Sequence, residues 1–357
     1  MAKLKDFKTF WKGKKVFITG HTGFKGSWLI VILNMLGAKI YGYSLKPQKK
    51  SLFNQISGDK IIEKNFYGNI TDYNNLKSKI NKVNPNIVLH LAAQPLVIDS
   101  YNDTLNTHKT NILGTVNLLE ACRKIKSIQS IVIVTTDKVY KIKKNKNYFS
   151  EIDELGGDDP YSASKACSEI VTMSYIKSFF NNTKLKNRVS TARSGNVIGG
   201  GDYAKNRLIP DIVNSVNRKQ KLLLRNPKSV RPWQHVIEPL IGYIILAQKQ
   251  YQRLTSLDPS WNFGPEKNNF LSVLNIVKIS KKFEKINFKI VNEDKFKETI
   301  ILKLNNKKAK KYLFWSPKWD LEKSLEKIFE WNKLTKMKKN VREICEQQVN
   351  EYLGDIK

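Results

Sequence analysis

The segment Val16-Phe17-Ile18-Thr19-Gly20-His21-Thr22-Gly23-Phe24-Lys25-Gly26-Ser27 joins an apolar, β-branched run to a helical stretch through three evenly spaced glycines. The first glycine of such a loop allows a tight turn, the second lets the backbone approach a pyrophosphate, and the third lets helix and strand pack closely. The pyrophosphate would then face unpaired N–H groups at the helix N-terminus. This order of strand, glycine loop and helix predicts a dinucleotide-binding fold, with a glycine turn that binds nothing as the alternative.

The first half of the chain alternates strand patterns with helix patterns. Strands are predicted at 16–19, 39–43, 87–90 and 131–135, and helices at 27–36, 73–83, 106–123 and 161–180. Such alternation predicts βαβ units around a buried parallel sheet. After about residue 188 the rhythm loosens, and the glycines at 199–201 with Pro210, Pro227 and Pro232 indicate loops that cover a site. Residues 321–331 have helical spacing and are expected to pack on a second lobe.

We therefore predict an α/β protein with a Rossmann-type doubly wound parallel sheet and a smaller C-terminal substrate-binding lobe. The dinucleotide-binding domain is predicted at 11–192, with 232–261 returning to it. The lobe is predicted at 193–231 and 262–340.

The composition is typical of a folded protein in a reducing compartment. The 357 residues are 41% hydrophobic, which is enough for one large domain or two intimate ones. The three cysteines, Cys122, Cys167 and Cys345, follow no metal or redox spacing, so we expect no disulfide framework and no metal site. The basic N-terminus does not read as a signal peptide, and the longest apolar run, 28–36, is too short to cross a bilayer. These features predict a soluble, cytoplasmic protein with no membrane partner.

The net charge of +32 has two interpretations. It could reflect nucleic-acid binding through neutralised phosphates. The lysines are spread over nearly the whole chain and mixed with Asn and Ile, however, which indicates a compositional bias at exposed positions. The clusters at 141–146 and 307–311 are expected to be solvated loops or helix faces. We expect no specific nucleic-acid partner, although a positive field would help recruit an anionic substrate.

Tyr161 and Lys165 lie four residues apart, so they share one face of the predicted helix. A lysine ammonium near a phenol stabilises the phenolate and lowers the tyrosine pKa from about 10 toward neutral pH. That phenolate can take the proton of a sugar hydroxyl while hydride leaves the same carbon for a nicotinamide. A surface Tyr–Lys pair is the alternative, but the glycine loop favours the catalytic interpretation.

Thr136, Asp137 and Lys138 follow the apolar run at 131–134. On a regular strand Asp137 would point away from its neighbours, so the three share one site only if the strand ends and the chain turns. Oxidation of a sugar carbon makes the adjacent C–H acidic, and a base can then remove that proton while an acid protonates the next hydroxyl. Asp137 fits the acid if it is held protonated, and Lys138 fits the base if it is held neutral. A structural ion pair between the two is the alternative.

The residues expected around the adenosine half leave the cofactor open. The second strand ends in Tyr43-Ser44-Leu45-Lys46, with no carboxylate for the ribose hydroxyls of NAD. Lys46 could face the 2′-phosphate of NADP, or it could be one more exposed lysine. Asn69 and Ile70 lie where a third strand should end beside the adenine. Leu91-Ala92-Ala93-Gln94 is a strand end with small residues, suited to a chain that passes close to the cofactor.

Together these residues resemble the nucleotide-sugar branch of the extended short-chain dehydrogenase/reductases, and within it the CDP-glucose 4,6-dehydratase family. The likeness covers about residues 8–335. It continues through Gly195-Asn196-Val197-Ile198-Gly199-Gly200-Gly201-Asp202, Arg207-Leu208-Ile209-Pro210, Arg231-Pro232-Trp233-Gln234-His235 and Trp261-Asn262-Phe263-Gly264-Pro265. The specific marks are the His-Thr-Gly-Phe-Lys-Gly spelling of the loop and Lys138, where the dTDP-glucose and GDP-mannose dehydratases have glutamate.

The resemblance implies conversion of CDP-D-glucose to CDP-4-dehydro-6-deoxy-D-glucose plus water, by transient C4 oxidation, C5/C6 elimination and hydride return to C6. It implies bound NAD, with NADP left open by Lys46 and by Asn69, where the family usually has aspartate. It also implies a homodimer in the cytoplasm that serves deoxysugar and O-antigen (lipopolysaccharide) biosynthesis. Another nucleotide-sugar 4,6-dehydratase or a 4-epimerase is the alternative, and a nucleic-acid-binding protein with this fold is a remote one.

The resemblance also assigns roles to single residues. Tyr161 would be the base for the C4 hydroxyl, activated by Lys165, and Thr136 would hydrogen-bond the substrate. Asp137 would be the acid and Lys138 the C5 base. The cofactor-binding residues would be Gly20, Thr22, Gly23, Phe24, Lys25, Gly26, Asn69, Ile70, Leu91, Ala92, Ala93, Thr110, Tyr161 and Lys165. The substrate-binding residues would be Gln94, Asn196, Arg207 and Arg231, the last for the diphosphate because a guanidinium fork matches phosphate geometry.

Overall fold

A computed structural model describes residues 4–143, 146, 148–181, 188–254, 259–266, 269–291 and 302–354. In chain order its strands are β1 Lys15–Thr19, β2 Lys39–Ser44, β3 Lys64–Tyr67, β4 Ile87–His90, β5 Ser130–Val134, β6 Tyr148–Phe149, β7 Val189–Ser194, β8 Val197–Ile198, β9 Leu222–Leu224, β10 Val230–Pro232, β11 Gln234–His235, β12 Ser260–Phe263, β13 Phe270–Ser272, β14 Phe288–Ile290 and β15 Lys303–Leu304. Its α-helices are α1 Leu4–Trp11, α2 Phe24–Met35, α3 Leu52–Gln55, α4 Tyr73–Val83, α5 Val97–Asn102, α6 Thr104–His108, α7 Gly114–Cys122, α8 Pro160–Tyr175, α9 Leu208–Arg218, α10 Ile237–Tyr251, α11 Val273–Ser280, α12 Leu321–Lys336 and α13 Val341–Gly354.

Seven strands form one parallel sheet in the order β12-β7-β5-β4-β1-β2-β3. From β1 the chain winds outward to β2 and β3, then returns to β4 on the other side of β1. Such a reversal of strand order opens a crevice at the carboxyl ends of the strands, where doubly wound sheets bind their ligands. The predicted α/β class and doubly wound parallel sheet are confirmed.

The strands at 16–19, 39–43, 87–90 and 131–135 are all present, each within one residue of its predicted bounds. Three of the predicted helices correspond to α2, α4 and α12. The predicted helix at 106–123 is divided, because a wider π-helical turn at Lys109–Leu113 separates α6 from α7. A second π-helical turn, Ile176–Phe180, ends the predicted helix at 161–180.

The two faces of the sheet are covered by different helices. On β1, Val16 and Ile18 face one layer, where Trp28 of α2 and Leu240 of α10 are also buried. Phe17, between them in sequence, faces the opposite layer with Leu118 of α7. Alternate side chains of a strand point to opposite faces, so a strand buried on both sides needs an unbroken apolar run. The apolar run at 16–18 meets that requirement.

A separate apolar cluster lies beyond the sheet and joins α9, α11 and α12 with the short strand β9. Leu321, Leu325, Ile328 and Phe329 of α12 belong to it, as the helical spacing at 321–331 predicts. The edge strand β12 of the large sheet comes from residues 260–263, far along the chain.

The domain boundaries at 192/193, 231/232 and 261/262 stay a prediction, and residues 182–187 and 292–301 of the predicted domains lie outside the described residues. So do residues 144, 145 and 147 of the basic loop at 141–147. In the part of the chain that the structure describes, no helix has the length and apolar character needed to cross a membrane.

Candidate active site

The three glycines of the loop after β1 have different surroundings. Gly20 has a left-handed φ of 76°, and a Cβ there would lie 2.7 Å from the backbone nitrogen of Ala92. A Cβ on Gly26 would overlap the carbonyl oxygen of Gly20 and the backbone of His21. A Cβ on Gly23 would meet only the carbonyl oxygen of Gly20, at 3.4 Å. Gly20 and Gly26 are therefore needed for packing, whereas Gly23 faces open space, as it must if a pyrophosphate lies there.

The residues between the glycines tie the loop to its surroundings. The Thr22 hydroxyl donates a hydrogen bond to the carbonyl of Leu45 at 3.0 Å and shares one with the hydroxyl of Ser44 at 2.7 Å, which connects the loop to the end of β2. Gly23 begins α2 with no side-chain cap, so no side chain occupies the N–H groups of the first turn. The residues at this end of α2 fit the pyrophosphate of a dinucleotide.

Lys25 reaches away from the glycines, into the crevice. Its Nζ donates to the hydroxyl of Ser194 at 2.8 Å, at the end of β7. Burial lowers the pKa of Lys25 to about 7, and the positive charge of Arg207 acts in the same direction. Lys25, which is predicted to bind the cofactor, therefore lies among the charged groups of the catalytic crevice.

The adenosine side of the crevice is built from the ends of β2 and β3. The Tyr43 hydroxyl donates to the carbonyl of Asn69 at 3.0 Å, and the Asn69 side chain accepts from the backbone N–H of Thr71 at 3.0 Å. Ile70 is buried, and its carbonyl accepts from Asn117 at 3.1 Å. Lys46 is exposed. The side chain of Asn69 is thus engaged in its own turn, and its predicted cofactor contact stays a prediction.

The helix α8 positions Tyr161 in its first turn. Asp159 caps the helix by accepting from the backbone N–H of Ser162 at 2.9 Å, in a capping box, and Pro160 occupies the first turn. Such caps fix a helix start because they satisfy its unpaired donors. Four residues on, Lys165 is buried and its Nζ donates to the carbonyl of Val134 at 2.9 Å, at the end of β5.

The pKa of Tyr161 differs from the sequence expectation. Burial raises it to about 12, against the lowering effects of a hydrogen bond with Thr136 and the charge of Arg207. Burial also lowers the pKa of Lys165 to about 8. The expected lowering of the Tyr161 pKa is therefore wrong, because burial disfavours the phenolate more than the neighbouring groups favour it.

Strand β5 ends just before Thr136, and the chain turns there. Thr136, Asp137 and Lys138 can therefore share one site, which a continuing strand would not allow. Residues Asp137–Val139 form a single 3-10 turn, with Thr136 as its N-cap. The Thr136 hydroxyl donates to Oδ1 of Asp137 at 3.0 Å, and Nζ of Lys138 lies 3.3 Å from the same oxygen. Asp137 is 1% exposed and Lys138 21%. The ion pair considered as the alternative is present, on a carboxylate whose Oδ2 has no hydrogen-bond partner within the described ranges.

The four predicted substrate-binding residues have different settings. Asn196 lies with its Oδ1 3.5 Å from Nζ of Lys138. Arg207 pairs with Asp202 at 3.3 Å, and its charge acts on both Tyr161 and Lys25. Arg231 is buried on β10, opposite Leu271 of β13, and donates to the carbonyl of Val230 at 3.1 Å. Asn196 and Arg207 therefore lie close to the catalytic turn.

Gln94 has polar atoms that are occupied within its own loop. Its Nε2 donates to the carbonyl of Leu96 at 3.1 Å and to Thr107 at 2.9 Å, while its Oε1 accepts from the N–H of Leu96 at 2.6 Å. Thr110 lies in the π-helical turn and donates to Asn106 at 3.3 Å. Leu91, Ala92 and Ala93 follow β4 directly, beside Gly20.

Asn111 is a site residue that sequence reasoning missed. It is buried in the π-helical turn, where its side chain accepts from the Gln94 N–H at 2.9 Å and donates to the Gln94 carbonyl at 3.1 Å. It also donates to the hydroxyl of Ser164 on α8 at 2.8 Å. Asn111 thereby ties the loop after β4 to the helix that carries Tyr161. The sequence offers no distinguishing signal for Asn111, because residues 106–111 are all polar.

Comparisons with known proteins identify several relatives. A family model described as GDP-mannose 4,6 dehydratase matches residues 17–328. The chain is 40% identical to a CDP-glucose 4,6-dehydratase of Salmonella typhimurium, over 97% of this chain and 98% of that protein. It is 31% identical to a dTDP-D-glucose 4,6-dehydratase of Dictyostelium discoideum over 66% of this chain and 56% of that one. The fold is similar to that of a dTDP-glucose 4,6-dehydratase of Bacillus anthracis solved with NAD, with a TM-score of 0.76, 23% identity, and coverage of 91% of this chain and 98% of that chain.

Proposed function

The chain belongs to the GDP-mannose 4,6 dehydratase family, and from that premise we propose that it is a CDP-glucose 4,6-dehydratase that works with bound NAD. It would convert CDP-D-glucose to CDP-4-dehydro-6-deoxy-D-glucose and water. The relative from Salmonella typhimurium, which matches over nearly its whole length, supports CDP-D-glucose as the substrate.

The observation that carries the proposal is the turn after β5. It brings a carboxylate, an ammonium group and a hydroxyl together at 3.0–3.3 Å, and both the Thr136 hydroxyl and the Asp137 charge act on the pKa of the Tyr161 phenol. A 4-epimerase needs the tyrosine and lysine pair to oxidise C4 and to reduce it again, but it eliminates nothing. Asp137 and Lys138 supply the acid and base that elimination requires, and they favour the dehydratase.

Bound NAD would supply the hydride acceptor for C4 and the hydride donor for C6. The loop from Gly20 to Gly26 would hold its pyrophosphate, since Gly23 leaves open space and the first turn of α2 has no side-chain cap. Asn69 and Ile70 would border the adenine. The absence of a carboxylate at the end of β2 keeps NADP as a second candidate, and parallel titrations with NAD and NADP distinguish the two.

Each catalytic side chain has a proposed task. Tyr161 would receive the proton of the C4 hydroxyl, and the ammonium of Lys165 would favour the charged form of the phenol. Asp137 would protonate the departing C6 hydroxyl. Lys138 would remove the C5 proton and later return it. Its ammonium contacts Asp137 at 3.3 Å, so this task requires that the substrate rearrange the pair.

The substrate would lie over the turn after β5, with its diphosphate toward the second lobe. Arg207 and Arg231 would bind the phosphates, because guanidinium groups match their geometry. Asn196, 3.5 Å from Lys138, would contact the sugar. The side chain of Gln94 would shape the loop rather than donate to the substrate directly, since its polar atoms already bond Leu96 and Thr107.

The experiment that tests the function is incubation with NAD and, in parallel, the CDP-, dTDP-, UDP- and GDP-linked hexoses. We expect a 4-keto-6-deoxy product from CDP-glucose alone. The variant Tyr161→Phe should lose the activity, and Asp320→Asn, which changes an exposed helix cap far along the chain, should keep it. Folded, NAD-loaded protein that leaves CDP-glucose unchanged contradicts the proposal.

We further propose that the protein is a cytoplasmic homodimer that serves deoxysugar and O-antigen biosynthesis. Large apolar side chains are exposed on neighbouring helical segments of one layer: Leu105 on α6, Leu113 at the end of the π-helical turn, Ile170 on α8 and Phe179 after it. We call these four residues the apolar helix face. A second copy of the chain would cover it, since exposed apolar patches of this kind mark association sites.

A further inference from the structure

A buried ion pair lies beside the turn after β5, and the proposed reaction does not use it. Glu169 on α8 is 0% exposed and Arg193 on β7 is 2% exposed. Nε of Arg193 donates to Oε1 of Glu169 at 2.9 Å, and Nη2 donates to Oε2 at 2.8 Å. Two parallel hydrogen bonds of this kind fix the angle between the groups as well as their distance. The pair therefore fixes α8 relative to β7.

The hydrogen-bonding groups of this pair are all occupied. A guanidinium carries five N–H groups, and two of those on Arg193 meet Glu169. The other three donate to the Tyr140 hydroxyl at 2.9 Å, the Ser260 hydroxyl at 3.2 Å and the Glu151 carbonyl at 3.3 Å. The carboxylate also accepts from Thr135 and, at 2.6 Å, from Thr191. A fully satisfied buried network of this kind is rigid.

Stability alone does not account for this ion pair. Removing two charges from water is costly, and well-packed apolar residues of the same volume are often as stable. What the polar network adds is a fixed geometry between the elements that it joins. The partners of Glu169 and Arg193 show which elements these are.

The bonds of the ion pair lie on both sides of the catalytic turn. Thr135, which directly precedes the turn, donates to Oε1 of Glu169. Tyr140, which directly follows it, accepts from Nη1 of Arg193 at 2.9 Å. The residues between these two contacts, 136–139, contain the proposed acid and base of the elimination. Both ends of the catalytic turn are thus attached to one ion pair.

The same ion pair is attached to the helix that carries the residues proposed for oxidation. Tyr161, Lys165 and Glu169 follow one another at intervals of four residues on α8. Residues at that spacing lie along one face of a helix. The position of Glu169 therefore determines where this face lies relative to the catalytic turn.

We propose that Glu169, Arg193 and Tyr140 are positioning residues that hold the turn after β5 against α8, so that the acid and base of elimination reach the same sugar as the oxidising residues of α8. The inference rests on the proposed function. Nζ of Lys165 already ties α8 to the end of β5, at 2.9 Å. The contact at Tyr140 restrains the far end of the turn. Its loss should displace the acid and base while Tyr161 and Lys165 stay in place.

Tyr140 offers a substitution that removes this contact with little other change. Its hydroxyl accepts from Arg193 and donates to Oδ1 of Asn262 on β12 at 2.7 Å. Its ring stacks on that of Phe149, with centroids 5.1 Å apart. Tyr140→Phe removes the hydroxyl and keeps the ring, whereas loss of Arg193 would leave a buried carboxylate unpaired and endanger the fold.

The test is a single turnover of CDP-glucose by NAD-loaded Tyr140→Phe, followed by the absorbance of the reduced nicotinamide. The absorbance rises as C4 is oxidised and falls as hydride returns to C6, which requires that elimination has occurred. We expect the rise to keep its wild-type rate. The fall should slow by about 10-fold or more, because a displacement of about 1 Å can cost a catalytic group roughly 100-fold. In the steady state kcat should fall while KM changes little.

The matched control is Tyr352→Phe on α13, in the opposite layer from α8. It also removes a buried phenol hydroxyl, one that donates to the carboxylate of Glu238. Both phases should keep their wild-type rates in this variant. A loss of stability removes active molecules and so lowers the amplitudes of both phases, but it does not change the ratio of their rates. Thermal unfolding of both variants measures that loss.

Arg193→Lys distinguishes the charge of Arg193 from its geometry. It keeps a positive charge opposite Glu169 but loses the planar fork that binds the carboxylate and Tyr140 together. A role of the charge alone predicts wild-type rates for both phases. Positioning predicts a fall at least as slow as that of Tyr140→Phe.

Amide hydrogen exchange provides a readout that does not depend on activity. In Tyr140→Phe, residues 135–141 should exchange faster by about 10-fold or more, while α8 should exchange as in wild type. Unchanged exchange at 135–141, or two phases slowed equally, overturns the positioning role and leaves the dehydratase assignment intact. Wild-type protein that makes no 4-keto product from CDP-glucose contradicts the function itself, and hydrogen exchange then still decides whether the network holds the turn.

Discussion

At the residue scale, Gly20, Gly23 and Gly26 should respond differently to the same substitution. Gly20→Ala places a Cβ 2.7 Å from the Ala92 nitrogen on a left-handed backbone, and Gly26→Ala overlaps the Gly20 carbonyl. Each should lower the free energy of unfolding by about 2 kcal/mol or more. Gly23→Ala meets only one atom, at 3.4 Å, so its melting temperature should stay near that of wild type while its NAD affinity falls. Thermal unfolding without cofactor and a fluorescence titration with NAD measure the two effects.

A Gly23→Ala variant that binds NAD as wild type does would show that no pyrophosphate lies against this residue. A Gly23→Ala variant that unfolds as early as Gly20→Ala would contradict the open space beside it. The three variants thus serve as one another's controls.

Replacement of Asn111 should lower both the stability and the kcat of the protein, although Asn111 lies far from Tyr161 in sequence. Asn111→Leu removes the side-chain partner of the half-buried N–H and carbonyl of Gln94 and one of the two partners of the buried Ser164 hydroxyl. The loss of a buried hydrogen-bond partner costs about 1–3 kcal/mol of stability. Because Asn111 positions α8, kcat should fall more than KM rises. The control Asn214→Leu, at an exposed position on α9, should change neither. A wild-type kcat in a destabilised Asn111→Leu would refute the positioning role.

The contacts of a side chain could be predicted only where its neighbours lie close to it in sequence. The turn that gathers Thr136, Asp137 and Lys138 follows from the end of one strand, so their proximity was predictable. Lys25 was predicted only to bind the cofactor. Its contact with Ser194 was not predictable, because Ser194 is far along the chain and meets Lys25 only because β7 lies in the same sheet. Burial sets the pKa of Tyr161, and no spacing of residues reveals burial.

At the element scale, a buried carboxylate on α10 adds a polar attachment to the apolar packing of α13 on the dinucleotide layer. Glu238 of α10 accepts from the backbone N–H groups of Lys318 at 2.9 Å and Trp319 at 2.7 Å, and from the hydroxyl of Tyr352 on α13. Burial raises the pKa of Glu238 to about 7, although these three donors act to lower it. The attachment of the C-terminal helix should therefore depend on pH in the neutral range.

The sign follows from linkage. The folded pKa of Glu238 lies above its unfolded value of 4.5, so its contribution to stability is full below pH 4.5 and is lost as pH rises through about 7. At about 1.4 kcal/mol per pKa unit, the loss is about 3 kcal/mol. We expect the free energy of unfolding of wild type, relative to Glu238→Gln, to decrease between pH 5 and pH 8 (~3 kcal/mol in all). Denaturant unfolding across that range measures the difference, and a constant difference would contradict the raised pKa.

The helix pattern at 106–123 shows where element prediction reaches its limit. The apolar spacing correctly indicated a helix, but the π-helical turn at Lys109–Leu113 depends on tertiary contacts. It contains Asn111, whose side chain bonds both the loop after β4 and Ser164 of α8. Wider turns of this kind occur frequently at functional sites, and periodicity alone does not distinguish them.

At the scale of the whole molecule, the sheet was predictable because its strands alternate with helices in sequence. The short strand pairs outside this sheet were not predictable. Strand β6 pairs with β15, and β9 with β14, through two or three residues each. Such short segments carry no pattern of their own, and their partners lie far along the chain.

Part of the net charge of +32 lies around the catalytic turn. Four cationic side chains, Lys25, Lys138, Lys165 and Arg207, surround the catalytic turn, with Asp137 as the carboxylate that acts on Lys25. This excess suits a crevice that receives two diphosphates, one from each ligand, and it favours the interpretation of the charge as recruitment of anionic ligands. It does not require a nucleic-acid partner.

The dimer is the last prediction and concerns the apolar helix face. Leu105 is 66% exposed and Ile170 56%, on helices that pack side by side in one layer. If a second copy covers this face, Ile170→Glu places two charges in a symmetric interface, because each residue of a two-fold contact occurs twice. The dissociation constant should then rise by about 100-fold or more. Light scattering should give twice the 41.2 kDa chain mass for wild type and the single mass for Ile170→Glu at the same concentration.

The control Ile290→Glu changes an exposed isoleucine on β14, outside that face, and should remain a dimer. A wild-type protein that is monomeric at micromolar concentration, or an Ile170→Glu variant that stays dimeric, would show that this face is covered by something other than a second copy.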